Sequence, residues 1–400
     1  MQALFHSIDT YLLQHQDFWR FEPFFVSQHS TLPWQQSHPA LCQWLQDLSD
    51  DQVEHYKQDQ NALVDAVAPF FPSMRELLAQ LAMPSVTLSG LNLARGVDSG
   101  VPGRKLSQIT AMGEAALQNH QGEEWLEWCS GKGFLGRILA SQSRQKVTSL
   151  EYQAPLCQSG QLEADKQQLP MTFVQGDALS DEVEQIFNAS QHAVALHACG
   201  DLHVSLLEKG VDHQLPAMTI SPCCYHLIAG QQYRPLSSLA IDSTLKLSQS
   251  ELRIPLQELV TGGERVKRHR WLEMSYRLGL DILLRQELGL DHYLPVPSIK
   301  KSQLADGFSA FCQWAAQHKG LTLPPCDFDA YWQQGSQRYW QMEKLSLIQQ
   351  LFKRALELWL VLDKALYLEQ NGYHVQVREF CRRDITPRNL LIQAQKSGTV

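Results

Sequence analysis

The sequence of 400 residues predicts an α/β protein built around a parallel β-sheet with helices on both faces. Between residues 123 and 226, short apolar segments typical of strands alternate with amphipathic segments typical of helices. A glycine-rich turn, CSGKG at 129–133, joins the first strand of this series to its first helix. Polar or unusual residues cluster where each strand ends. Ligands bind at the carboxyl ends of the strands in such sheets, so these clusters predict a binding site.

Hydrophobic periodicity places the elements of this series in order along the chain. Short apolar runs predict strands at 125–129, 146–151, 171–175, 193–197 and 217–221. Between them, apolar residues at helical spacing predict helices at 134–143, 154–168, about 181–188 and 202–210. After residue 226 the alternation stops, so the parallel part of the sheet is expected to end there.

The remaining sequence is mainly helical in pattern and divides the chain into four predicted segments. These are a helical N-terminal region at 1–95, the core at 96–229, a helical insertion at 230–340, and a C-terminal helix with a β-hairpin at 341–400.

Within these segments, three features are predicted in more detail. Residues 96–108 form a loop that contains Arg104 and Lys105 and leads into a helix through residue 120. Long helices are expected at 264–288 and 345–368. The last two strands, at 373–380 and 389–393, are expected to pair antiparallel across the turn between them.

Composition excludes several classes of protein. The chain has 44% hydrophobic residues and a formal net charge of −8, which favours a large core and argues against a general nucleic-acid coat. No apolar run is long enough for a signal peptide or a membrane span, so we expect a cytoplasmic protein without a membrane partner. Nine cysteines without a CxxC pair indicate reduced thiols. The adjacent pair Cys223-Cys224 is too close for ordinary zinc geometry, so no metal site is expected.

Three carboxylates follow successive strands of the predicted sheet and suggest a cofactor. Glu127 precedes the glycine turn, Glu151 ends the next strand, and Asp177 follows the third strand. An acidic residue at the end of the second strand can accept hydrogen bonds from ribose hydroxyls, and Asp177 is placed to take an adenine amino group. Glu127 can face a methionine ammonium group or order the turn. A positively charged sulfonium suits these carboxylates, which favours S-adenosyl-L-methionine (SAM).

The glycine turn is compatible with the same cofactor. Gly131 and Gly133 let the backbone approach a ligand and direct the free N–H groups of the next helix towards it. The turn lacks the GxGxxG spacing of dinucleotide sites and the lysine-serine/threonine pair of the Walker motif. It resembles the first motif of SAM methyltransferases, acid-x-Gly-x-Gly-x-Gly, with Cys129 in the first glycine position.

A wider set of motifs resembles one class I methyltransferase family. The set is CSGKG at 129–133, ALHACGDL at 195–202, PCCYH at 222–226 and TPRNLLI at 386–392. In addition, GRKLSQI at 103–109 resembles the basic segment before the first motif of that family. The family includes the methyltransferase-like protein 25 group, the glutathione-S-transferase C-terminal-domain-containing protein, and the eukaryotic tRNA acceptor-stem 2′-O-methyltransferase.

The resemblance covers residues 100–230 and 370–395. It implies a Rossmann-like, seven-stranded class I methyltransferase sheet closed by a C-terminal β-hairpin, with a helical N-terminal region and a helical insertion before the hairpin. It also implies SAM as the methyl donor and, in at least one branch, an RNA substrate. The members of the family are diverse, so the resemblance does not define the acceptor.

The chemistry of methyl transfer selects catalytic candidates after the fourth and fifth strands. Transfer from a sulfonium is an in-line displacement, so the enzyme positions the nucleophile and removes a proton when the acceptor is a hydroxyl. The candidates at these positions are His197, Cys199, Asp201, Cys223, Cys224, Tyr225 and His226. We assign catalysis to four of them, with His226 as the candidate base: Asp201, Cys223, Cys224 and His226. His197 is placed on the cofactor side or in a structural role.

Two interpretations of the cysteine pair remain open. Cys223 or Cys224 could attack carbon 6 of a cytosine, as cysteines after the fifth strand do in RNA cytosine-5 methyltransferases, and so make carbon 5 nucleophilic. The pair could equally fill apolar space at a crowded strand end. The resemblance argues against nucleophilic attack, because its tRNA branch methylates a ribose hydroxyl with a similar cysteine pair.

The sequence therefore predicts a SAM-dependent methyltransferase that acts on RNA, either tRNA or rRNA. Local basic runs favour an RNA partner: Arg104, Lys105, Arg265, Lys267, Arg268, His269, Arg270, Arg378, Arg382, Arg383 and Arg388. The alternatives are a methyltransferase for a protein or a small molecule, or a catalytically silent SAM-binding subunit. Nothing in the sequence indicates DNA, and it identifies no protein partner.

Overall fold

The computed structural model describes residues 1–29, 31–257 and 263–398, except for the side chain of Arg104. Its central feature is a seven-stranded sheet in the order β3-β2-β1-β4-β5-β7-β6. The strands are β1 (Glu124–Trp128), β2 (Val147–Glu151), β3 (Met171–Gln175), β4 (Gln191–Cys199), β5 (Ala217–Cys223), β6 (Tyr373–Glu379) and β7 (Leu390–Lys396). Strands β1 to β5 pair in parallel, whereas β7 pairs antiparallel with β5 and β6. The predicted Rossmann-like sheet with a closing hairpin is confirmed.

The α-helices are, in chain order, α1 (Gln2–Gln14), α2 (Pro23–Val26), α3 (Pro39–Asp47), α4 (Asp50–Gln58), α5 (Gln60–Val67), α6 (Met74–Gln80), α7 (Gly103–Gln118), α8 (Phe134–Ser143), α9 (Ala154–Lys166), α10 (Asp201–Asp212), α11 (Ser238–Asp242), α12 (Glu264–Leu288), α13 (Phe308–Lys319), α14 (Phe328–Gln350) and α15 (Lys353–Gln370). Short 3-10 helices lie at Gln16–Phe18, Asp181–Ile186, Glu251–Leu256 and Lys301–Asp306. In the part of the chain that the structure describes, no helix has the length and apolar character needed to cross a membrane.

The chain forms two compact units. The first unit contains Met1–His15, Glu76–Leu256 and Lys353–Val400, and it includes the whole sheet. The second unit contains Gln16–Arg75 and Gln257–Phe352 and is helical. This division groups most of the N-terminal region with the insertion, which differs from the four segments predicted from the sequence.

The inner parallel strands are mainly buried because helices cover both faces of the sheet. Every residue of β2 and β5 is buried. Strands in this position have nearly continuous apolar sequences, which explains why the sequence revealed them. On one face, Met112 of α7 and Ile138 and Leu139 of α8 pack with Trp125 and Val194 of the sheet. The packing holds the carboxyl ends of the central strands at one edge, where the candidate site lies.

Three helices differ from those predicted. The predicted helix at 345–368 is divided into α14 and α15 at Leu351-Phe352. Both residues at the break are buried, so the apolar pattern continues through it and does not mark it. The helix that follows the predicted loop at 96–108 begins earlier than predicted, at Gly103. Arg104 and Lys105 therefore lie in the first turn of this helix and not in a loop. The segment near 181–188 is a 3-10 helix.

The second unit is built on the close packing of α12 against α14. A Cβ atom at Gly335 would lie 2.4 Å from the Ser275 carbonyl oxygen, so only glycine allows this approach. The buried residues Asp281 and Arg338 connect the two helices through an ion pair of 2.6 Å. The guanidinium of Arg338 also donates to the Phe24 carbonyl at 2.9 Å, which binds α2 to the same pair.

One buried carboxylate in the first unit fixes the chain after the candidate site. Asp363 of α15 is fully buried and accepts hydrogen bonds from the Tyr233 hydroxyl at 2.7 Å, the Leu236 N–H at 3.0 Å and the Ser237 N–H at 2.7 Å. The ammonium of Lys364 donates to the Tyr233 hydroxyl at 2.9 Å, and burial lowers the pKa of Lys364 to about 8. These bonds attach residues 233–237 to α15.

We expect Asp363→Asn to lower the free energy of unfolding of the first unit by about 2–3 kcal/mol. Asparagine keeps one acceptor oxygen but replaces the other by an NH₂ donor, so the donors on that side lose a charged acceptor. A hydrogen bond to a charged group contributes roughly 1.5–3 kcal/mol. Urea denaturation followed by circular dichroism measures the change. Asp242→Asn is the control, because Asp242 is exposed on α11 and should change stability by less than about 0.5 kcal/mol. Equal effects of the two substitutions would contradict this account.

Candidate active site

The carboxyl end of β1 enters α8 through a turn with three left-handed residues. Cys129, Gly131 and Gly133 have φ angles of 54°, 59° and 68°. A Cβ atom at Gly133 would lie 2.4 Å from Cζ of Phe173, so glycine is required there for space as well as conformation. Cys129 adopts the same conformation without being glycine, at a cost of roughly 1–3 kcal/mol. Such strain is typical of functional sites.

Glu127 lies beneath this turn and does not line the adjacent cavity. It is buried, and its carboxyl oxygens accept hydrogen bonds from the Gly136 N–H at 2.9 Å and the Ser149 hydroxyl at 2.7 Å. Burial raises the pKa of Glu127 to about 7, although both hydrogen bonds act to lower it. Of the two roles considered for Glu127, the structure supports ordering of the turn.

A cavity of about 390 Å³ opens at the ends of β1, β2 and β3. Its walls include Cys129, Glu151 and Asp177, which are three of the residues predicted to contact a cofactor. Glu151 is buried and accepts a hydrogen bond from the Gly131 N–H at 2.9 Å, so the second strand end holds the glycine turn in place. Asp177 accepts from the Leu179 N–H at 3.0 Å. The parallel register therefore brings the predicted carboxylates together.

The lining of this cavity fits the adenosine part of SAM. Its volume falls within the range of small-molecule sites, roughly 300–1,000 Å³. Leu150, Ala178 and Leu202 provide apolar walls for a purine ring, and the carboxylates of Glu151 and Asp177 provide acceptors for hydroxyl and amino groups. These residues would hold the cofactor at the edge of the sheet.

The loop after β5 crosses closely over the end of β4. A Cβ atom at Gly200 would lie 1.9 Å from the Leu227 carbonyl oxygen, so a side chain there would displace the loop. Asp201 fixes the loop from both sides, since its N–H donates to the Leu227 carbonyl at 3.0 Å and its carboxylate accepts from the Ala229 N–H at 2.7 Å. Asp201, predicted as catalytic, is thus placed to position the loop that contains His226.

The cysteines at the ends of β4 and β5 form a cluster. The Sγ atoms of Cys199 and Cys223 are 3.5 Å apart, and Cys224 brings a third sulfur within 4.8 Å of both. Contacts with the neighbouring thiols, together with burial, raise the pKa of Cys223. A hydrogen bond from Cys223 lowers the pKa of Cys224 to about 5. Cys224 is therefore the member of the pair that ionises first.

Two histidines lie next to this cluster in the chain, His197 in β4 and His226 in the loop after β5. Partial burial lowers the pKa of His197, and the cations Lys105 and Arg388 lower it further. Its Nε2 lies 3.2 Å from Oε1 of Gln108. Burial and the cation of Arg253 also lower the pKa of His226. Both rings are therefore mainly neutral at pH 7, as a general base must be.

Sequence reasoning missed several residues of the site. Gln108 lies in the GRKLSQI segment of α7 but was not singled out as a site residue. Arg253 lies in the 3-10 helix at Glu251–Leu256, and no motif marks it. Ser149 lies inside β2 and gives no signal beyond its polarity in a buried strand. Tyr225, a predicted candidate, is 2% exposed, and its hydroxyl bonds to the Pro222 carbonyl at 3.4 Å, which assigns it to the core.

The predicted basic runs are separated in the structure. Arg388 lies at the site, whereas Arg382 pairs with Asp384 at 3.0 Å on the surface and burial lowers the pKa of Arg383. In the second unit, Lys267 pairs with Glu264 at 2.9 Å. Arg270 pairs there with Glu343 at 3.2 Å. The side chain of Arg104 lies outside the described residues.

Comparison with protein families identifies the central segment. Residues 104–231 match the family model described as a methyltransferase domain. The match spans about a third of the chain and includes the glycine turn, the carboxylates and the cysteine cluster. This segment is therefore similar to a methyltransferase domain.

Several solved methyltransferase structures are similar to part of the chain. The tRNA (uracil-54, C5)-methyltransferase of Pyrococcus abyssi, in complex with S-adenosyl-L-homocysteine, is 16% identical over 29% of this chain and 28% of that protein, with a TM-score of 0.25. Fibrillarin of Aeropyrum pernix with bound SAM is 13% identical over 29% of this chain and 52% of that protein, with a TM-score of 0.25. A putative sarcosine dimethylglycine methyltransferase of Galdieria sulphuraria is 14% identical over 33% and 51%, with a TM-score of 0.26. This chain spans about half or less of each protein, and similarity at this level identifies no acceptor.

The buried carboxyl group of Glu127 makes stability depend on pH. The folded-state pKa of about 7 exceeds the ordinary value of 4.5, so the unfolded state loses this proton first and stability falls as pH rises from 4.5 to 7. Glutamine does not titrate in this range. We therefore expect the free energy of unfolding of Glu127→Gln to fall by about 3 kcal/mol less than that of the wild type between pH 4.5 and pH 7. Urea denaturation between pH 4.5 and pH 8 measures it.

The substituted amide keeps an acceptor for the Gly136 N–H, and the Ser149 hydroxyl can accept from its NH₂ group. Glu124→Gln, on the same strand but only half-buried, is the control and should follow the pH profile of the wild type. If Glu127→Gln also follows the wild-type profile, the carboxyl group of Glu127 is not protonated in the folded state as described.

Proposed function

We propose that this protein is a SAM-dependent methyltransferase that acts on RNA, either tRNA or rRNA, and that it belongs with the family whose motifs it resembles. The main support is a group of cations around the two imidazoles at the ends of β4 and β5. Lys105 and Arg388 lie close enough to His197 to lower its pKa, and Arg253 has the same effect on His226. Phosphate groups are the natural ligands of such cations on a protein with a net charge of −8.

These cations come from three separate parts of the first unit. Lys105 is in the first turn of α7, Arg253 is in the 3-10 helix at Glu251–Leu256, and Arg388 is in the turn between β6 and β7. Arg388 donates to the Leu256 carbonyl at 3.2 Å, which links two of these segments. A solvated helix face would not bring cations from three segments to one site, so an anionic substrate explains the arrangement better.

The chemistry that fits this site best is methylation of a ribose hydroxyl. SAM held at the cavity would supply the methyl group for in-line transfer to the hydroxyl oxygen. His226 is neutral and half-buried, and it accepts the hydroxyl proton as a general base. Asp201 holds the loop that presents His226. The competing route is nucleophilic attack of the Cys224 thiolate on a cytosine. The lowered pKa of Cys224 favours this route.

The experiment that tests the acceptor uses SAM with a labelled methyl group and total cellular RNA or total protein. We expect label that is sensitive to ribonuclease and resistant to protease. Digestion to nucleosides followed by mass spectrometry should then show a 2′-O-methylated nucleoside. A 5-methylcytidine product would instead support thiolate attack, and label in protein alone would exclude RNA.

His226→Gln should lower the rate of methyl transfer to RNA by about 10²- to 10⁴-fold, because that is the usual contribution of a general base. SAM affinity should change little. His374→Gln is the matched control, since His374 is exposed on β6 of the same unit. A His226→Gln enzyme with wild-type turnover would rule out His226 as the base.

A further inference from the structure

Three thiol groups meet at the ends of β4 and β5. The Sγ atoms of Cys199, Cys223 and Cys224 lie within 4.8 Å of one another, and Cys199 and Cys223 are 3.5 Å apart. Tetrahedral zinc, with Zn–S bonds of about 2.3 Å, holds its sulfur ligands about 3.8 Å apart. We propose that these three cysteines bind a zinc ion, with a water molecule in the fourth position.

Two irregularities of the backbone create this cluster. Leu196 of β4 pairs with Ser221 of β5, but the register then shifts so that Cys199 pairs with Cys223. The shift inserts one extra residue in β4 at the left-handed His197, whose φ is 70°. A β-bulge of this kind redirects the side chains that follow it. Without the bulge, Cys199 would not lie beside Cys223.

The second irregularity is the conformation of Cys224. The sequence argued against a metal site because Cys223 and Cys224 are adjacent and too close for ordinary zinc geometry. In a regular strand, adjacent residues would in addition point to opposite faces. Cys224 has left β5 and has a φ of 45°, so its sulfur turns back to the same side as that of Cys223. The geometric objection from the sequence is thereby removed.

Apolar filling alone does not explain this arrangement. A cysteine that only fills space needs no left-handed backbone, which costs roughly 1–3 kcal/mol at a non-glycine residue. Cys199 and Cys224 are partly exposed, so an ion can reach the cluster. Thiolates are soft ligands that favour zinc over magnesium or calcium. Each thiol that binds zinc releases its proton to solvent.

The position of the cluster gives the ion a structural task beside the cofactor cavity. Cys199 lies near enough to Cys129 of the glycine turn to raise its pKa. Zinc bound here would join the ends of β4 and β5 and the start of the loop that contains His226. It would therefore fix the spacing between the cofactor side and the acceptor side of the site. This inference does not depend on RNA being the acceptor.

Cobalt(II) titration of the full chain tests the site without any activity measurement. The protein is fully reduced, stripped of metal and handled without oxygen. We expect one Co²⁺ per chain, with thiolate-to-cobalt charge-transfer absorption and the strong visible bands of tetrahedral cobalt, and we expect Zn²⁺ to displace it. Weak absorption typical of oxygen ligands, or no binding by the folded, reduced wild type, would overturn the proposal.

Substitution of the ligands identifies the site. Cys199→Ser and Cys224→Ser are both at partly exposed positions, and each should weaken Co²⁺ binding by at least about a hundredfold, since loss of an outer partner alone costs about 10- to 100-fold. Cys381→Ser, in the same unit but outside the cluster, should bind like the wild type. Wild-type affinity in Cys199→Ser, or a Cys199–Cys223 disulfide that persists in the folded protein under reducing conditions, would contradict the zinc site.

Discussion

The buried carboxyl group of Glu127 connects the elements on which the cofactor site depends. Through one oxygen it holds the Gly136 N–H of α8, and through the other it holds the Ser149 hydroxyl of β2. Glu127 itself belongs to β1, so a single side chain fixes two strands and the helix that follows the glycine turn. Glu151 then adds a bond to the Gly131 N–H from the next strand end. The turn is held rigidly before any ligand arrives, which reduces the entropy lost on binding.

Three of the six non-glycine residues with a positive φ in the described part of the chain lie at the same edge of the sheet. Cys129, His197 and Cys224 are left-handed although none is glycine, and they lie at or near the ends of β1, β4 and β5. The left-handed conformations of His197 and Cys224 bring three sulfur atoms together. The left-handed Cys129 is part of the glycine turn beside the cavity. Regular strands would have directed these side chains elsewhere. The surrounding burial and hydrogen bonds offset the strain, so the site is organised at the expense of local stability.

Sequence patterns predicted the sheet well because buried parallel strands have a strong apolar signal. The helix at Phe134–Ser143 and the strand at Met171–Gln175 were predicted with their observed limits. The same signal hid the break at Leu351-Phe352, since buried residues continue through it. The carboxylates were predicted from spacing, but only packing shows that Glu127 supports the turn and Asp177 lines the cavity. The bulge at His197 depends on register between distant strands, so no local pattern reveals it.

The central claim is that the cavity beside Glu151 and Asp177 binds SAM. Calorimetric titration of SAM and S-adenosylhomocysteine into the wild type and into Asp177→Ala tests it most directly. The account predicts one site per chain in the wild type and at least about tenfold weaker binding in Asp177→Ala, because a hydrogen bond to a carboxylate is lost. Glu182→Ala, at an exposed position nearby, should bind like the wild type. Absence of binding to folded wild-type protein would contradict the account.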